Sequence, residues 1–426
     1  MDELNQNTVP AIKWLFLDLN SYFASVEQQE CPQLRGKPVA VVPMMTDSTC
    51  AIAASYEAKA FGVKTGTMIY EAKKMCPGLI CVQARHDVYV DYHHRIFDEV
   101  ENHLHVTKIC SIDEAACLLL GREREPDNIV KLSQNIKEGI WRNVGPAIHC
   151  SIGAASNPFL AKIASDMQKP NGLVILKPDD MLGPLFNLKL RDLPGINVKM
   201  ESRLNKAGIY SVEQFWNLAP KHARTVWGSV EGERFWYALH GYDLPDRATK
   251  KSVVGHSRVL EPSLRQPDQA YAITRRLLLK AATRLRRYNL FAGALFFKAR
   301  TVERQRWAGG TQFTPAQDNF TFLEALSSLW RLMQEETHGR PLLKVSVSLS
   351  NLRPPEETTR DLFSDHSPTP EKARTQNTNL SAAMDRLNRR YGADTIQLGF
   401  TPRTKGGFVG TKIAFTRIPD PEEFRE

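Results

Sequence analysis

Short apolar runs alternate with stretches in which apolar residues recur every three or four positions, and this alternation sets the expected elements of the N-terminal half. Trp14 to Asp18 (WLFLD) reads as a buried strand that delivers Asp18 to its C-terminal end. Helical spacing follows over Asn20 to Glu30. Pro38 to Pro43 (PVAVVP) predicts a second strand, Ser55 to Ala60 a short helix stopped by Gly62, Ile69 to Met75 another helix, and Gly78 to Val82 a strand. Within Tyr89 to His105, the residues Tyr92, Ile96, Val100 and Leu104 keep helical spacing. Apolar residues on either side of Asp113 and Glu114 make two strands of Thr107 to Leu120, and a helix over Asp127 to Trp141 precedes a strand over Ala147 to Ala154. This order predicts a mixed sheet with helices on one face.

The pattern changes at Asp192 to Ala207, where Leu193-Pro194-Gly195-Ile196 predicts a tight turn before an amphipathic helix, the pattern of a helix-hairpin-helix. Such turns bind DNA phosphate through backbone N–H groups at a helix start. Asn197 stands where a second glycine is usual, and Asn tolerates the left-handed conformation. From Lys251 the order is strand (Val253 to Leu260), helix (Asp268 to Tyr288), strand (Ala292 to Arg300), strand (Arg306 to Phe313), helix (Phe320 to Glu336), strand (Leu343 to Leu349), a βαββαβ module. Asn351 to Thr378, rich in Pro, Glu, Thr, Ser and Asn, reads as a flexible linker before a short helix over Leu380 to Tyr391.

Length and charge sharpen this picture. A chain of 426 residues that is 42% hydrophobic can bury several separate cores. The formal net charge is +9, and Lys251 to Gly310 alone holds thirteen Lys or Arg against three Asp or Glu, so the positive charge is concentrated in the βαββαβ module. That favours a polyanionic partner. The first eleven residues lack the basic and apolar segments of a signal peptide, and no run of about 18 apolar residues occurs, so a cytoplasmic protein without a membrane partner is expected. Seven cysteines, none in a C-x-x-C pair, read as reduced thiols.

Asp18 ends one apolar run, and Asp113 with Glu114 interrupts another (ICSIDEAACLLL), where charge is costly unless paired or metal-bound. Phosphoryl transfer needs two or three such carboxylates at strand ends to hold a pair of divalent ions. A turn or capping role would also account for an Asp-Glu pair between strands. Adjacent strand residues point to opposite faces, so both can serve one site only where the strand is distorted or ends.

Four blocks, FLDLNSYFASVE, SYEAKAFGVKTGTM, CSIDEA and SIGAASNPFLAKIASDMQKPNG, lie in this order between Phe16 and Gly172. The chain resembles the Y-family (translesion) DNA polymerases in these blocks. The resemblance implies an α+β multidomain fold: a right-hand polymerase with a mixed-sheet palm, small fingers and a helical thumb, followed by a βαββαβ little-finger domain. Its boundaries here would be residues 12–22 and 88–174 for the palm, 23–87 for the fingers, 175–246 for the thumb, 250–352 for the little finger and 353–426 for a C-terminal tail. Asp18, Asp113 and Glu114 would hold two Mg²⁺ ions, with the Leu19 carbonyl as a further ligand. Many members have D-x-D in the first block, where this chain has Asn20. Phe23 falls at the family's steric gate, the ring that excludes a ribose 2′-hydroxyl, and Tyr22 beside it is a further expected nucleotide contact. Tyr56, Lys59 and Lys169 would grip the β and γ phosphates of a dNTP; Lys59 replaces a more usual Arg and offers a point charge without the bidentate fork.

Primer-template DNA is the implied partner. Gly195 and Asn197 in the hairpin turn, and Lys251, Ser252, His256, Arg258, Lys298 and Arg300 on the little-finger sheet, are the expected DNA contacts, while the basic helix with Arg275, Arg276, Lys280, Arg284, Arg286 and Arg287 reads as a solvated face. Asp361, Leu362 and Phe363 resemble the end of the peptide that docks bacterial polymerases on the sliding clamp, although Thr359 and Arg360 replace its leading Gln and Leu. An alternative reading is a catalytically silent polymerase-like adaptor recruited to damaged DNA; intact Asp18, Asp113 and Glu114 count against it.

Overall fold

The computed structural model describes residues 11–247, 250–357, 368–392, 395–398, 418–419 and 424. They fall into two compact units, one whose main segment ends at Asp246 and one that begins at Arg247.

The first unit opens with β1 (Trp14–Leu19) and α1 (Tyr22–Glu30), followed by β2 (Val39–Val42), β3 (Ala53–Ala54), α2 (Tyr56–Ala60), α3 (Ile69–Met75) and β4 (Ile80–Gln83). Then come α4 (His86–Glu101), β5 (Lys108–Ile109), β6 (Glu114–Leu118), α5 (Pro126–Gly139), β7 (Cys150–Ala155), α6 (Pro158–Met167) and β8 (Leu173–Ile175). Strands β2, β3 and β4 form a small sheet, and the others form a five-stranded sheet in the order β5-β6-β1-β7-β8. Only the β7–β8 pair of that larger sheet is parallel, so it is mixed as expected. Helices on one face alone do not describe it, however. Phe16 packs with Leu160 and Ala164 of α6, yet Leu15 and Leu17 on the reverse face are also fully buried. A central strand buried on both faces must be apolar throughout, which is why WLFL shows no alternation.

α1 starts two residues later than its apolar spacing predicts, because Asn20 and Ser21 turn the chain, Ser21 in the left-handed region at φ 49°. α5 ends in one π-helical turn, Ile140–Val144. Five small helices complete the unit: α7 (Leu182–Phe186), α8 (Val198–Lys206), α9 (Val212–Trp216), α10 (Pro220–Trp227) and α11 (Val230–Leu239). Asn157, the cap of α6, ties them to the sheet by donating Nδ2 to the carbonyls of Ala238 and Tyr242, at 2.7 and 3.0 Å.

The second unit runs β9 (Val253–Val259), α12 (Pro267–Arg287), β10 (Phe291–Thr301), β11 (Arg306–Ala316), α13 (Asn319–Thr337), β12 (Leu342–Arg353) and α14 (Pro368–Tyr391). The expected βαββαβ order is present as an antiparallel sheet, β11-β10-β12-β9, with α12 and α13 packed on one face over Leu295, Phe297, Val345 and Val347. The linker expectation fails towards its end. α14 begins at Pro368, twelve residues before the predicted helix, and its Asp385 pairs with Arg286 of α12, both largely buried. The basic face of α12 is therefore partly committed to a neighbour rather than solvated throughout. Among the described residues, no helix is long and apolar enough to cross a membrane.

Candidate active site

Asp18 lies directly opposite Glu114 in the antiparallel β1–β6 ladder; Cβ atoms of such neighbours are about 5 Å apart. Asp113 precedes β6 instead of lying in it, so the alternation of a strand does not separate the two acids. A tight turn makes this so: the N–H groups of Cys110 and Ser111 both reach the Glu114 carbonyl, at 2.9 and 3.2 Å. The Ser111 hydroxyl donates to Asp113 Oδ1 at 2.6 Å, and the Leu19 N–H donates to the Asp113 carbonyl at 2.8 Å. From α4, His93 Nδ1 donates to the Ile112 carbonyl at 2.7 Å; a carbonyl only accepts, so the proton is on Nδ1.

Two ammonium groups lie among these carboxylates. Lys162 of α6 pairs with Asp18 and, at 2.8 Å, with Glu114. Lys169 reaches both Asp18 and Asp166 at 2.7 Å. Neither Lys162 nor Asp166 stands out in the sequence; the available signal is a lysine inside an apolar helical stretch (FLAKIA) with an acid one turn later. Burial opposes ionisation of Asp18, but the two lysines outweigh it and hold the carboxyl below its ordinary range. Asp113 and Glu114 are raised instead, first by burial and further by the charge of Asp18, against a lowering from Ser111 in one case and Lys162 in the other. Burial likewise opposes the Lys162 ammonium, yet Asp18, Glu114 and Asp166 raise it overall.

Acids packed this closely, two of them hard to ionise, call for more positive charge than two lysines bring, and hard divalent ions take carboxylate oxygens. The donor set fits such ions. Among the described residues no group of three or more acidic, imidazole or thiol side chains is placed to hold a metal ion by itself; Mg²⁺ takes few protein ligands and keeps water and substrate phosphates as the others.

The predicted cations converge on the same place. Ser55 caps α2, its oxygen accepting from Ala58 N, and so sets the start of the turn that carries Tyr56 and Lys59. Lys59 Nζ donates to the Ser21 hydroxyl at 2.7 Å and stands 4.4 Å from the centroid of the Tyr56 ring. Burial raises the Tyr56 phenol, with Lys169 opposing and Asp18 reinforcing; burial and Lys169 lower the Lys59 ammonium. Asn20 acts structurally, donating to Ser151 Oγ at 3.0 Å and accepting from Asn171 N at 2.7 Å, and so ties the end of β1 to the turn that holds Lys169. Lys137 secures that turn from α5 by donating to the carbonyls of Asn171 and Gly172, at 2.6 and 2.9 Å.

Phe23 is half-buried at the start of α1 and stacks on Tyr89, with centroids 4.4 Å apart and planes 13° from parallel. Tyr22 departs from expectation. Its side chain is 3% exposed and its hydroxyl donates to the Tyr89 carbonyl at 2.5 Å, so the phenol is committed to the core and is not offered to a nucleotide.

Residues 17–166 match the impB/mucB/samB family, and residues 250–362 match the C-terminal domain of that family. DNA polymerase IV of Halorhodospira halophila is 30% identical over 361 residues, covering 83% of this chain and 98% of that protein. DNA polymerase IV of Moorella thermoacetica is 29% identical over 388 residues, covering 90% and 94%. A solved chimera of the Y-family DNA polymerases Dbh and Dpo4 shares the fold, with a TM-score of 0.68 at 24% identity over 80% of this chain and 99% of its own. The chain belongs to the Y family of DNA polymerases. The insertion ternary complex of Dbh is also similar, at 26% identity and a TM-score of 0.53 over 80% of this chain. This Y-family polymerase is a DNA-directed DNA polymerase of the translesion type with palm, fingers, thumb and little finger, and its relatives imply dependence on divalent metal.

The polymerase has a cleft of about 400 Å³ between Lys162 and Asp166 of α6 and the turn Arg191–Asn197. Gly195, at φ +96°, supplies the backbone conformation the turn needs. Asn197 does not adopt the expected left-handed form; at φ −91° it caps α8, its side-chain oxygen accepting from Lys199 N and Met200 N. Those two amides are therefore already engaged.

On the little-finger sheet, alternation sorts the predicted contacts. Phe296 and Lys298 are exposed on the face away from α12 and α13, and Arg300 continues that row. His256 and Arg258 stand opposite the buried Val347 and Val345, on the helix side. Arg284 of α12 donates to His256 Nε2 at 2.6 Å, and Arg258 pairs with Glu261 at 3.1 Å. These two depart from the expected contacts, since the register through β12 places His256 and Arg258 on the opposite face of the sheet from Lys298 and Arg300. Lys251 and Ser252 are exposed just before β9, with Lys251 Nζ 3.1 Å from the Tyr288 ring centroid. Asp361, Leu362 and Phe363 lie outside the described residues.

Proposed function

We propose that this translesion polymerase joins a dNTP to a primer 3′-hydroxyl at Asp18, Asp113 and Glu114, which hold two Mg²⁺ ions with the Leu19 carbonyl. The observation that carries this is Asp18 facing Glu114 across β1–β6 while both share the Lys162 ammonium. When bound, such ions lower the pKa of the attacking hydroxyl and neutralise the leaving pyrophosphate. The chain's own residues do the rest. Lys169, Tyr56 and Lys59 bring two positive charges and a hydroxyl to the β and γ phosphates. Phe23 lies under the sugar. Residues 12–22 and 88–174 act as palm, 23–87 as fingers, 175–246 as thumb and 250–352 as little finger. The turn around Gly195, together with Lys251, Ser252, Lys298 and Arg300, holds the phosphate backbone of primer-template DNA, a contact without sequence information that suits any template. Asp361, Leu362 and Phe363 would dock a sliding clamp, and the reading includes a cytoplasmic enzyme of the damage (SOS) response.

Primer extension with Mg²⁺ and dNTPs tests the centre of this reading. Asp113→Asn with Glu114→Gln should cost at least about a thousandfold in rate, the scale of losing groups that stabilise only the transition state. A double variant that extends primers like the wild type would dispose of the assignment.

A further inference from the structure

Helix α1 and the start of α4 are joined by three side chains that the chemistry above does not use. Glu27, one helical turn after Phe23, is 2% exposed, and a carboxylate so deeply buried is costly unless it is paired and hydrogen-bonded. It is both. Arg85 donates to it from Nε at 3.1 Å and from Nη2 at 2.6 Å, a two-pronged contact that fixes the carboxylate plane. The Tyr89 hydroxyl donates to the same carboxylate at 2.7 Å. Tyr89 is itself fully buried, its carbonyl accepts from Tyr22, and one face of its ring is covered by Phe23.

The consequence concerns the plane of one ring. A phenylalanine at a helix start rotates broadly about its second side-chain torsion. A gate against one hydroxyl group needs that ring held to within a fraction of an ångström. Stacking within 13° of parallel on Tyr89 removes the freedom, provided Tyr89 is itself immobile. Its hydroxyl, pinned by a buried carboxylate that an arginine orients, meets that condition.

We propose that Arg85, Glu27 and Tyr89 are positioning residues for sugar discrimination: they hold the Phe23 ring in the plane that excludes ribonucleoside triphosphates. This rests on Phe23 being the surface the sugar meets. The test uses the full chain and compares kcat/KM for a dNTP and the matching rNTP. Tyr89→Leu removes the stack and should lower the dNTP/rNTP ratio by about three- to tenfold, the range an aromatic pair is worth. Tyr89→Phe keeps the stack but loses its anchor and should lower the ratio about twofold. Glu27→Gln should act in the same direction, and serves if Tyr89→Leu fails to fold. Phe23→Ala is the reference. If it lowers the ratio while the Tyr89 and Glu27 variants leave it unchanged, or lower both efficiencies in parallel, the positioning role is overturned and the gate stands. If Phe23→Ala itself leaves the ratio unchanged, the gate reading falls first.

Discussion

At the scale of single residues, the site depends on side chains whose partners come from distant parts of the chain. Asp18, Asp113 and Glu114 could be named as candidates from short blocks of sequence, because those blocks resemble a family's motifs; apolar patterning alone leaves a turn or capping role open for each. Lys162 could not, since one lysine in a helix is ordinarily a surface residue; only the fold turns it toward Asp18. Tyr22 misled for the opposite reason, its neighbour Phe23 being half-exposed while its own hydroxyl is used by Tyr89. His93 gives a test at this scale. It is buried beside His94 and Asp98, and desolvation pushes it down to about 4, against an ordinary value of 6.5. The unfolded chain therefore takes up a proton near pH 6.5 that the folded chain accepts only near pH 4. Stability should fall as pH drops through that window, by at most about 3 kcal/mol from this group. His93→Asn, which can donate to Ile112 from a similar position but does not titrate, should flatten that part of the curve of unfolding free energy against pH. An unchanged curve would remove His93 as a source of acid sensitivity.

At the scale of elements, hydrophobic spacing located the strands and helices but not what they pack against. β9 shows the difference. Its run VVGHSRV offers little contrast between faces, so the sides taken by His256 and Arg258 follow only from the register with β12. α14 was legible in its last three turns alone, because the polar stretch before Leu380 carries no apolar periodicity. Its attachment is specific: Arg286 donates from Nε and Nη2 to the two oxygens of Asp385, at 2.6 and 2.8 Å, and Ser381 Oγ accepts from the Asn319 N–H at 3.0 Å. Removing one partner of a buried pair leaves the other uncompensated. Asp385→Ala should therefore cost the C-terminal unit about 3 kcal/mol in denaturant unfolding, whereas Arg286→Met with Asp385→Leu should cost much less. Equal losses for the two would mean that packing, not charge, fastens α14.

At the scale of the whole molecule, the net charge of +9 is matched by a local +10 between Lys251 and Gly310, yet six of those Lys and Arg residues belong to α12 and not to the sheet. Lys298 and Arg300 lie in the row that faces away from the helices, and His256 does not. Each phosphate contact contributes about 0.9 to the slope of log K against log salt. Lys298→Ala with Arg300→Ala should lower that slope by about 2 in a DNA-binding titration, and His256→Ala should leave it unaltered. A slope insensitive to Lys298 and Arg300 would take the open face out of the DNA interface. The sequence by itself determined the family and most of the order of elements, and through that resemblance named the three candidate acids, because ordered blocks of residues and apolar spacing are local properties of a chain. The tertiary structure alone decided which lysine neutralises which acid, which strand residues face outward, and how Tyr89 comes to lie against Phe23. Those are contacts between residues far apart in sequence, and burial, which sets their strength, exists only once the chain has folded.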